Sequence, residues 1–297
     1  MKVAGLDFGS NTTLMLIAEV EESRINKILC DETRITKMGQ GVHNSRRFHP
    51  DALARIRSAL ADYRKLIDHH QPDVIRAVAT SAARDVENSE ELFEMARSFG
   101  IPLTVISGNE EAALTFKGAF SDRTPKKDCC VIDVGGGSTE LIFKSSKGSI
   151  VGESIDVGSV RLMDLFGSLD PMGSDDFDQM GIYIRERLNP NWSNQGFTSG
   201  VAVAGTPTIL AAMELQLESF DSEKVDGFVL TKTTLEKWMN RLKGMSLSER
   251  EKIKGLPPKR ADVIVAGTAV LYEFMRHLHL SQLEVSVRGV RYGLVLS

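Results

Sequence analysis

The chain has 297 residues, 42% of them apolar and 26% charged, which is ordinary for a globular protein and long enough for two compact domains with separate cores. A formal net charge of −4 argues against a nucleic-acid polymer as partner, so a polyanionic substrate needs a local basic lining; no apolar run is long enough for a membrane span, and Met1-Lys2-Val3 enters a strand with no signal peptide to read. Three cysteines, two adjacent, make no disulfide framework and point to a reducing cytoplasm, and the six histidines show no zinc spacing, His69-His70 and His277-x-His279 reading as exposed helix ends.

Val3-Ala4-Gly5-Leu6-Asp7-Phe8-Gly9-Ser10-Asn11-Thr12-Thr13-Leu14-Met15-Leu16-Ile17-Ala18 opens the chain as an apolar strand, an acid, a tight turn of glycine and small polar residues, and a second apolar strand. Residues 3–8, 14–20 and about 25–36 predict three consecutive strands. A helix from about Asp51 to His69 follows Pro50 and carries Leu53, Ile56, Leu60, Tyr63 and Ile67 on one face. Next come a strand at 74–79, a helix near 89–99, a strand at 103–106 and a helix from about Asn109 to Phe120. This βββαβαβα order is an α/β layer pattern. The polar run Ser121 to Asp128, with Pro125, marks a boundary between a domain at 1–122 and a second at 128–297, whose extreme C-terminus is free to pack back on the first.

The second half repeats the opening. Cys129-Cys130-Val131-Ile132-Asp133-Val134-Gly135-Gly136-Gly137-Ser138-Thr139-Glu140-Leu141-Ile142-Phe143 is again strand, acid, glycine turn with hydroxyls, strand. Three glycines remove every Cβ that would block close approach, and successive N–H groups with Ser138 and Thr139 can hold anionic oxygens. Asp133 and Glu140 bracket the turn with carboxylates, as a hydrated Mg²⁺ beside phosphates requires. Asp7 and Asp133 stand about one domain apart, so the repeat reads as duplicated domains gripping a ligand in the cleft between them. Further strands are expected at 129–134, 138–143, 150–157, 201–204 and 283–287. Helices are expected near 159–166, 174–188, after Gly205-Thr206-Pro207-Thr208, at 231–243 and 247–254, and from about Arg260 to His277.

The chain resembles the Ppx/GppA family of exopolyphosphatases and guanosine pentaphosphate phosphohydrolases, within the actin, sugar kinase and Hsp70 superfamily. The matching stretches are Asp7–Asn11, Ala79-Thr80-Ser81-Ala82-Ala83-Arg84-Asp85, Ile106–Ala112, Val131–Leu141, Gly158-Ser159-Val160-Arg161-Leu162, Ala204–Thr208, Arg260-Ala261-Asp262-Val263-Ile264 and Arg288–Gly293. They occur in family order over essentially the whole chain, in the short two-domain form. The resemblance implies two ribonuclease H-like (actin-like) domains, each a mixed sheet flanked by helices, with an interdomain cleft that closes on the substrate. It implies release of orthophosphate from the end of inorganic polyphosphate, with Mg²⁺ or Mn²⁺ as cofactor. The alternative is removal of the 5′ γ-phosphate from pppGpp, which would tie the chain to the stringent response. A second alternative is a non-catalytic sensor of polyphosphate or an alarmone. A homodimer is left open.

Residue by residue, the resemblance makes Glu111 the general base, with Glu110 as helix cap. Asp133 and Glu140 become catalytic acids and metal ligands, and Asp7 the equivalent acid of the first turn. Phosphate contacts fall on Ser10, Asn11, Thr12, Arg84, Gly136, Gly137, Ser138, Thr139 and Ser159, and Gly205-Thr206 on the nucleotide or cleft side. From the residues alone, Asp7 reads equally as an acid that braces its own turn, Glu111 as part of a helix-start acid cluster, and Arg84 as a partner of Asp85. Arg34, Lys37, Arg46 and Arg47 read first as a solvated loop and strand edge, and second as a positive lining. Many family members carry a basic residue where Leu14 stands.

Overall fold

The computed structural model describes residues 1–84, 86–167 and 170–297, His43 and Asn44 by backbone alone. The chain forms two compact units, Met1–Thr124 with Arg288–Ser297, and Pro125–Val287.

In the first unit β1 (Lys2–Phe8), β2 (Thr12–Glu21), β3 (Arg24–Ile35), β4 (Val74–Ala79) and β5 (Leu103–Val105) make one sheet in the order β3-β2-β1-β4-β5. The first three strands are antiparallel, and β4 and β5 run parallel to β1. Alternation along β1 sends Ala4, Leu6 and Phe8 to one face. There they join Met15, Ile17 and the buried stripe Ile56, Leu60, Tyr63 and Ile67 of helix Pro50–His70. Each buried Leu, Ile, Phe or Met among them contributes about 1.5–3 kcal/mol by leaving water. The helix starts where His49 Nδ1 accepts from the Asp51 N–H and Pro50 fits the first turn; it stops at Gln71 in the left-handed region.

The opposite face carries Val3, Leu16, Ala18 and Val20, covered by Tyr292, Val295 and Leu296. A short helix, Val290–Val295, lies so close to β1 that a Cβ on Gly5 would sit 2.8 Å from Arg291 O. It crosses helix Gly108–Ala119 equally closely, where a Cβ on Gly293 would come within 2.1 Å of Leu114 O. That close approach requires glycine.

In the second unit β6 (Cys129–Val134), β7 (Thr139–Lys144), β8 (Ile150–Ile155), β9 (Ser199–Val203), β10 (Val229–Thr231) and β11 (Gln282–Val285) pair in the order β10-β11-β9-β6-β7-β8. With the antiparallel edge strand β10 set aside, this is the order and sense of the first sheet, the ribonuclease H-like arrangement. Cys130, Ile132, Val134, Leu141 and Phe143 meet helices Ser174–Arg187, Gly205–Glu214, Lys232–Lys243 and Ile264–His277 in one core. Helix Ile264–His277 is buried over most of its circumference, as an interior helix is.

Several elements depart from the sequence expectation. The helix expected from Arg260 begins at Ile264, because Pro257-Pro258 impose a 3₁₀ turn over Pro258–Arg260. The helix expected over 247–254 spans Leu247–Arg250. Strand β10 and helix Val290–Val295 were not expected; at three and six residues each is too short to show a period. Among the described residues no helix is long and apolar enough to cross a membrane.

Candidate active site

In the first unit the β1–β2 turn closes with Gly9 N–H donating to Thr12 O at 3.0 Å, which fixes Phe8 opposite Thr13 and Asp7 opposite Leu14. Three carbonyls of this turn are engaged from behind. Gly39 N–H donates to Ser10 O, Thr36 and Lys37 N–H donate to Asn11 O, and Thr80 N–H donates to Phe8 O. Two of its side chains, by contrast, have buried atoms without partners: Asp7 Oδ1 and both polar atoms of Asn11 make no hydrogen bond. Burial pushes the Asp7 carboxyl up to about 7, against the pull of the Arg291 guanidinium. Asp7 Oδ1 therefore does not brace its own turn, which was one of the two sequence readings. Ser10 Oγ lies 3.1 Å from Ser81 Oγ, and Thr12 is half-buried.

Ser81 starts the short helix Ser81–Arg84, and Arg84 leads to the next expected residue. Its Nη1 donates to Ile106 O at 2.8 Å and to Glu111 Oε2 at 3.0 Å. Asp85, the partner considered for it, lies outside the described residues. At the start of helix Gly108–Ala119, Ser107 and Glu110 form a complete capping box: Glu110 Oε2 accepts from Ser107 N–H and Oγ, and Glu110 N–H donates to Ser107 Oγ. Glu111 comes one residue later and so faces elsewhere, 8% exposed and paired with Arg84. The cap is complete without it.

In the second unit the β6–β7 turn repeats the closure, with Gly135 N–H donating to Ser138 O at 3.0 Å. Its carbonyls too are taken from behind. Ser159 N–H donates to Gly135 O, Val160 and Arg161 N–H to Gly136 O, and Arg161 Nε to Gly137 O at 2.8 Å. Gly158 is required here, since a Cβ would meet Gly136 O at 2.3 Å. Among the described residues nothing accepts from the N–H groups of Gly136, Gly137 and Ser138, leaving three adjacent donors for an anion.

Register places Asp133 beside Glu140 and Glu140 beside Ser154, so two carboxylates and a hydroxyl share one face in one row. Glu140 is buried, and its Oε1 accepts from Ser138 Oγ at 2.6 Å and Ser154 Oγ at 2.7 Å. The hydroxyls of Thr139 and Ser159 turn inward, donating to Val157 O at 2.5 Å and Gly135 O at 3.3 Å. As they stand they brace the turn. Asp133 is also the parallel partner of Val203, whose strand runs into Ala204 and the helix begun by Gly205 and buried Thr206.

The model of the Ppx/GppA phosphatase family matches residues 16–297. The chain belongs to the Ppx/GppA phosphatase family. It is similar to a protein named Exopolyphosphatase 2 from Mycobacterium tuberculosis, 35% identical over 313 aligned residues that span all of this chain and 98% of the other. A Ppx/GppA family member from Aquifex aeolicus shares its fold at a TM-score of 0.82 and 30% identity, over 100% of this chain and 96% of that one. An exopolyphosphatase from Cytophaga hutchinsonii does so at a TM-score of 0.87 and 27% identity, over 99% and 96%. As a member of this family the chain is a phosphoanhydride hydrolase.

Sequence reasoning missed three contributors to the site: Ser154 on Glu140, Arg161 behind the glycine turn, and Arg291 facing Asp7. Counting the β7–β8 register from the expected strands would have found Ser154. Of the basic residues considered as lining, Arg34 is tied to Glu32 at 2.5 Å with Asp62 at 3.7 Å, and Arg47 lies 3.8 Å from Glu91.

Proposed function

We propose that this Ppx/GppA member is an exopolyphosphatase that hydrolyses the terminal phosphoanhydride bond of inorganic polyphosphate. Glu111 takes the proton from water as its oxygen bonds to the terminal phosphorus and the bridging P–O bond breaks, releasing orthophosphate and a chain one unit shorter. The observation that carries the assignment of the base is the division of labour at residues 110 and 111. Glu110 completes the helix cap, and the buried Glu111 carboxylate is paired with Arg84. Arg84 Nη1, donating to Glu111 Oε2 at 3.0 Å, fixes its direction. In the second unit the N–H groups of Gly136, Gly137 and Ser138 are suited to the oxygens that gain charge as the phosphoryl group transfers; in the first unit the unpartnered Asn11 amide offers a donor of the same kind.

Mg²⁺, or Mn²⁺, fits the acids present. Asp7 has a buried oxygen without a hydrogen bond, and Asp133 stands beside Glu140. Among the described residues no cluster of three or more His, Cys, Asp or Glu builds a protein cage. Such a donor set suits an ion that keeps several waters and takes one or two carboxylates plus substrate phosphates. When bound, it would neutralise charge on the phosphate oxygens.

Orthophosphate release is to be measured with Mg²⁺ on long polyphosphate and on pppGpp side by side. Faster release from polyphosphate is expected. Faster release from pppGpp would make the nucleotide the substrate, and tight binding of both without release would overturn the hydrolytic reading.

A further inference from the structure

Helix Gly205–Glu214 begins beside the Asp133 row and runs for ten residues, so its far end stands about 15 Å away along its axis. There it meets helix Lys232–Lys243 and the segment 245–254 around a cleft of about 360 Å³, within the roughly 300–1,000 Å³ of small-molecule sites. The walls of this cleft are fixed. Met213 and Trp238 are buried, and the Trp238 indole N–H donates to Glu214 Oε1. Gly255 lies in the left-handed region at φ 84°, and a Cβ on it would meet Ala212 O at 2.3 Å, so the chain after Lys254 is pressed against the helix end. Met245 and Ile253 are half-buried and give the cleft an apolar floor.

The polar lining is Lys237, Arg241, Lys252 and Lys254 with Glu214 and Glu249. Both acids are committed. Glu214 Oε1 also accepts from Lys237 Nζ at 2.9 Å, and Glu249 Oε2 accepts from Ser246 N–H at 2.7 Å and Oγ at 2.9 Å in a capping box. Lys254 is paired with Glu218. Among the described residues Arg241 and Lys252 make no hydrogen bond or ion pair: the Arg241 guanidinium lies 5.0 Å over the Trp238 ring, and Lys252 acts on Glu249 only from a distance. Two positive charges from different segments therefore stand uncompensated beside an apolar floor. A dianion with an apolar body answers both features. A phosphate monoester carries about 1.5 to 2 negative charges at pH 7; the Arg241 fork matches its oxygens, and Lys252 adds a point charge.

We propose that this cleft binds a small organic phosphate monoester, its head on Arg241 and Lys252 and its apolar body over Met245 and Ile253. The site is separate from the glycine turns and does not depend on which phosphoanhydride is cleaved there.

The chain has two tryptophans, so a nitrogen–proton correlation spectrum of the indole groups in the full chain has two signals, and the one from Trp238 reports on the cleft. It is assigned by its persistence in Trp192→Phe or its loss in Trp238→Phe. Metal-free protein is titrated with naphthyl phosphate, naphthol and orthophosphate. Saturable movement of the Trp238 signal by naphthyl phosphate is expected, with an affinity at least tenfold above that of naphthol or orthophosphate. Arg241 and Lys252 are exposed, so Arg241→Gln and Lys252→Gln should keep the ligand-free spectrum, and each should weaken the monoester at least fivefold. No saturable movement, unchanged affinity in both variants, or naphthol or orthophosphate binding as tightly as the monoester would overturn the proposal. So would displacement of the monoester by tripolyphosphate equally in wild type and both variants, which would put the ligand at the glycine turns instead.

Discussion

The two glycine turns share one backbone and differ in what their acids have for company. Across the first sheet the row reads Val78, Asp7, Leu14, Thr33; across the second it reads Val203, Asp133, Glu140, Ser154. The second row is furnished: Glu140 holds two hydroxyl donors, and Asp133 has an acid at its side. In the first, Asp7 is buried opposite a leucine with one oxygen unpartnered. The first turn holds a buried acid with one oxygen unpartnered, which a cation can relieve, while the second holds paired acids, one of them bonded to two hydroxyls, beside free N–H groups. A duplicated hairpin has thus become two differently furnished turns.

The largest effect that would break this contrast lies at Asp7. Its folded pKa is raised from the ordinary carboxylate range to about 7, so in the metal-free protein stability falls as pH rises through that interval and then levels off. At about 1.4 kcal/mol per unit, Asp7→Asn should stabilise the metal-free chain at pH 8 by up to about 4 kcal/mol and flatten the slope between about pH 4 and 7. Urea melts across that range check it. A destabilised Asp7→Asn variant would mean that the aspartate is a structural brace after all.

The same change in the second row should have the opposite sign. Glu140→Gln disturbs a buried, hydroxyl-bonded carboxylate and is expected to cost about 1–3 kcal/mol in the same melts. Ser154→Ala removes one of the two donors and should cost about 1 kcal/mol, since it leaves Ser138 in place. Smallest is Leu14→Arg, which restores a positive charge opposite Asp7 and should reduce the pH slope of the metal-free protein without abolishing it. An unchanged slope would show that the new guanidinium does not reach the carboxylate.

Much of this contrast lay outside the sequence for identifiable reasons. The turns were legible because the pattern of apolar strand, acid, x, glycine is local, and the fold class because three strands followed by alternating helices and strands admit few arrangements. The state of each acid was not, because it depends on residues brought in from elsewhere. Ser154 reaches Glu140 only through the β7–β8 register, and Arg291 approaches Asp7 only because Gly5 lets the last helix lie against β1. Glu110 and Glu111 looked alike as acids in a first helical turn; the completed capping box separates them. Arg260 was read as the opening of a helix, and Pro257-Pro258 made it a buried cation instead.

The most direct test of the central claim compares orthophosphate release from long polyphosphate by wild type and Glu111→Gln, with Mg²⁺ and with melting curves on both proteins. Loss of about a hundredfold or more in rate, with melting little changed, is the predicted result, because Glu111 would act as base while Glu110 keeps the cap. Release that survives Glu111→Gln would contradict the account and place the base elsewhere.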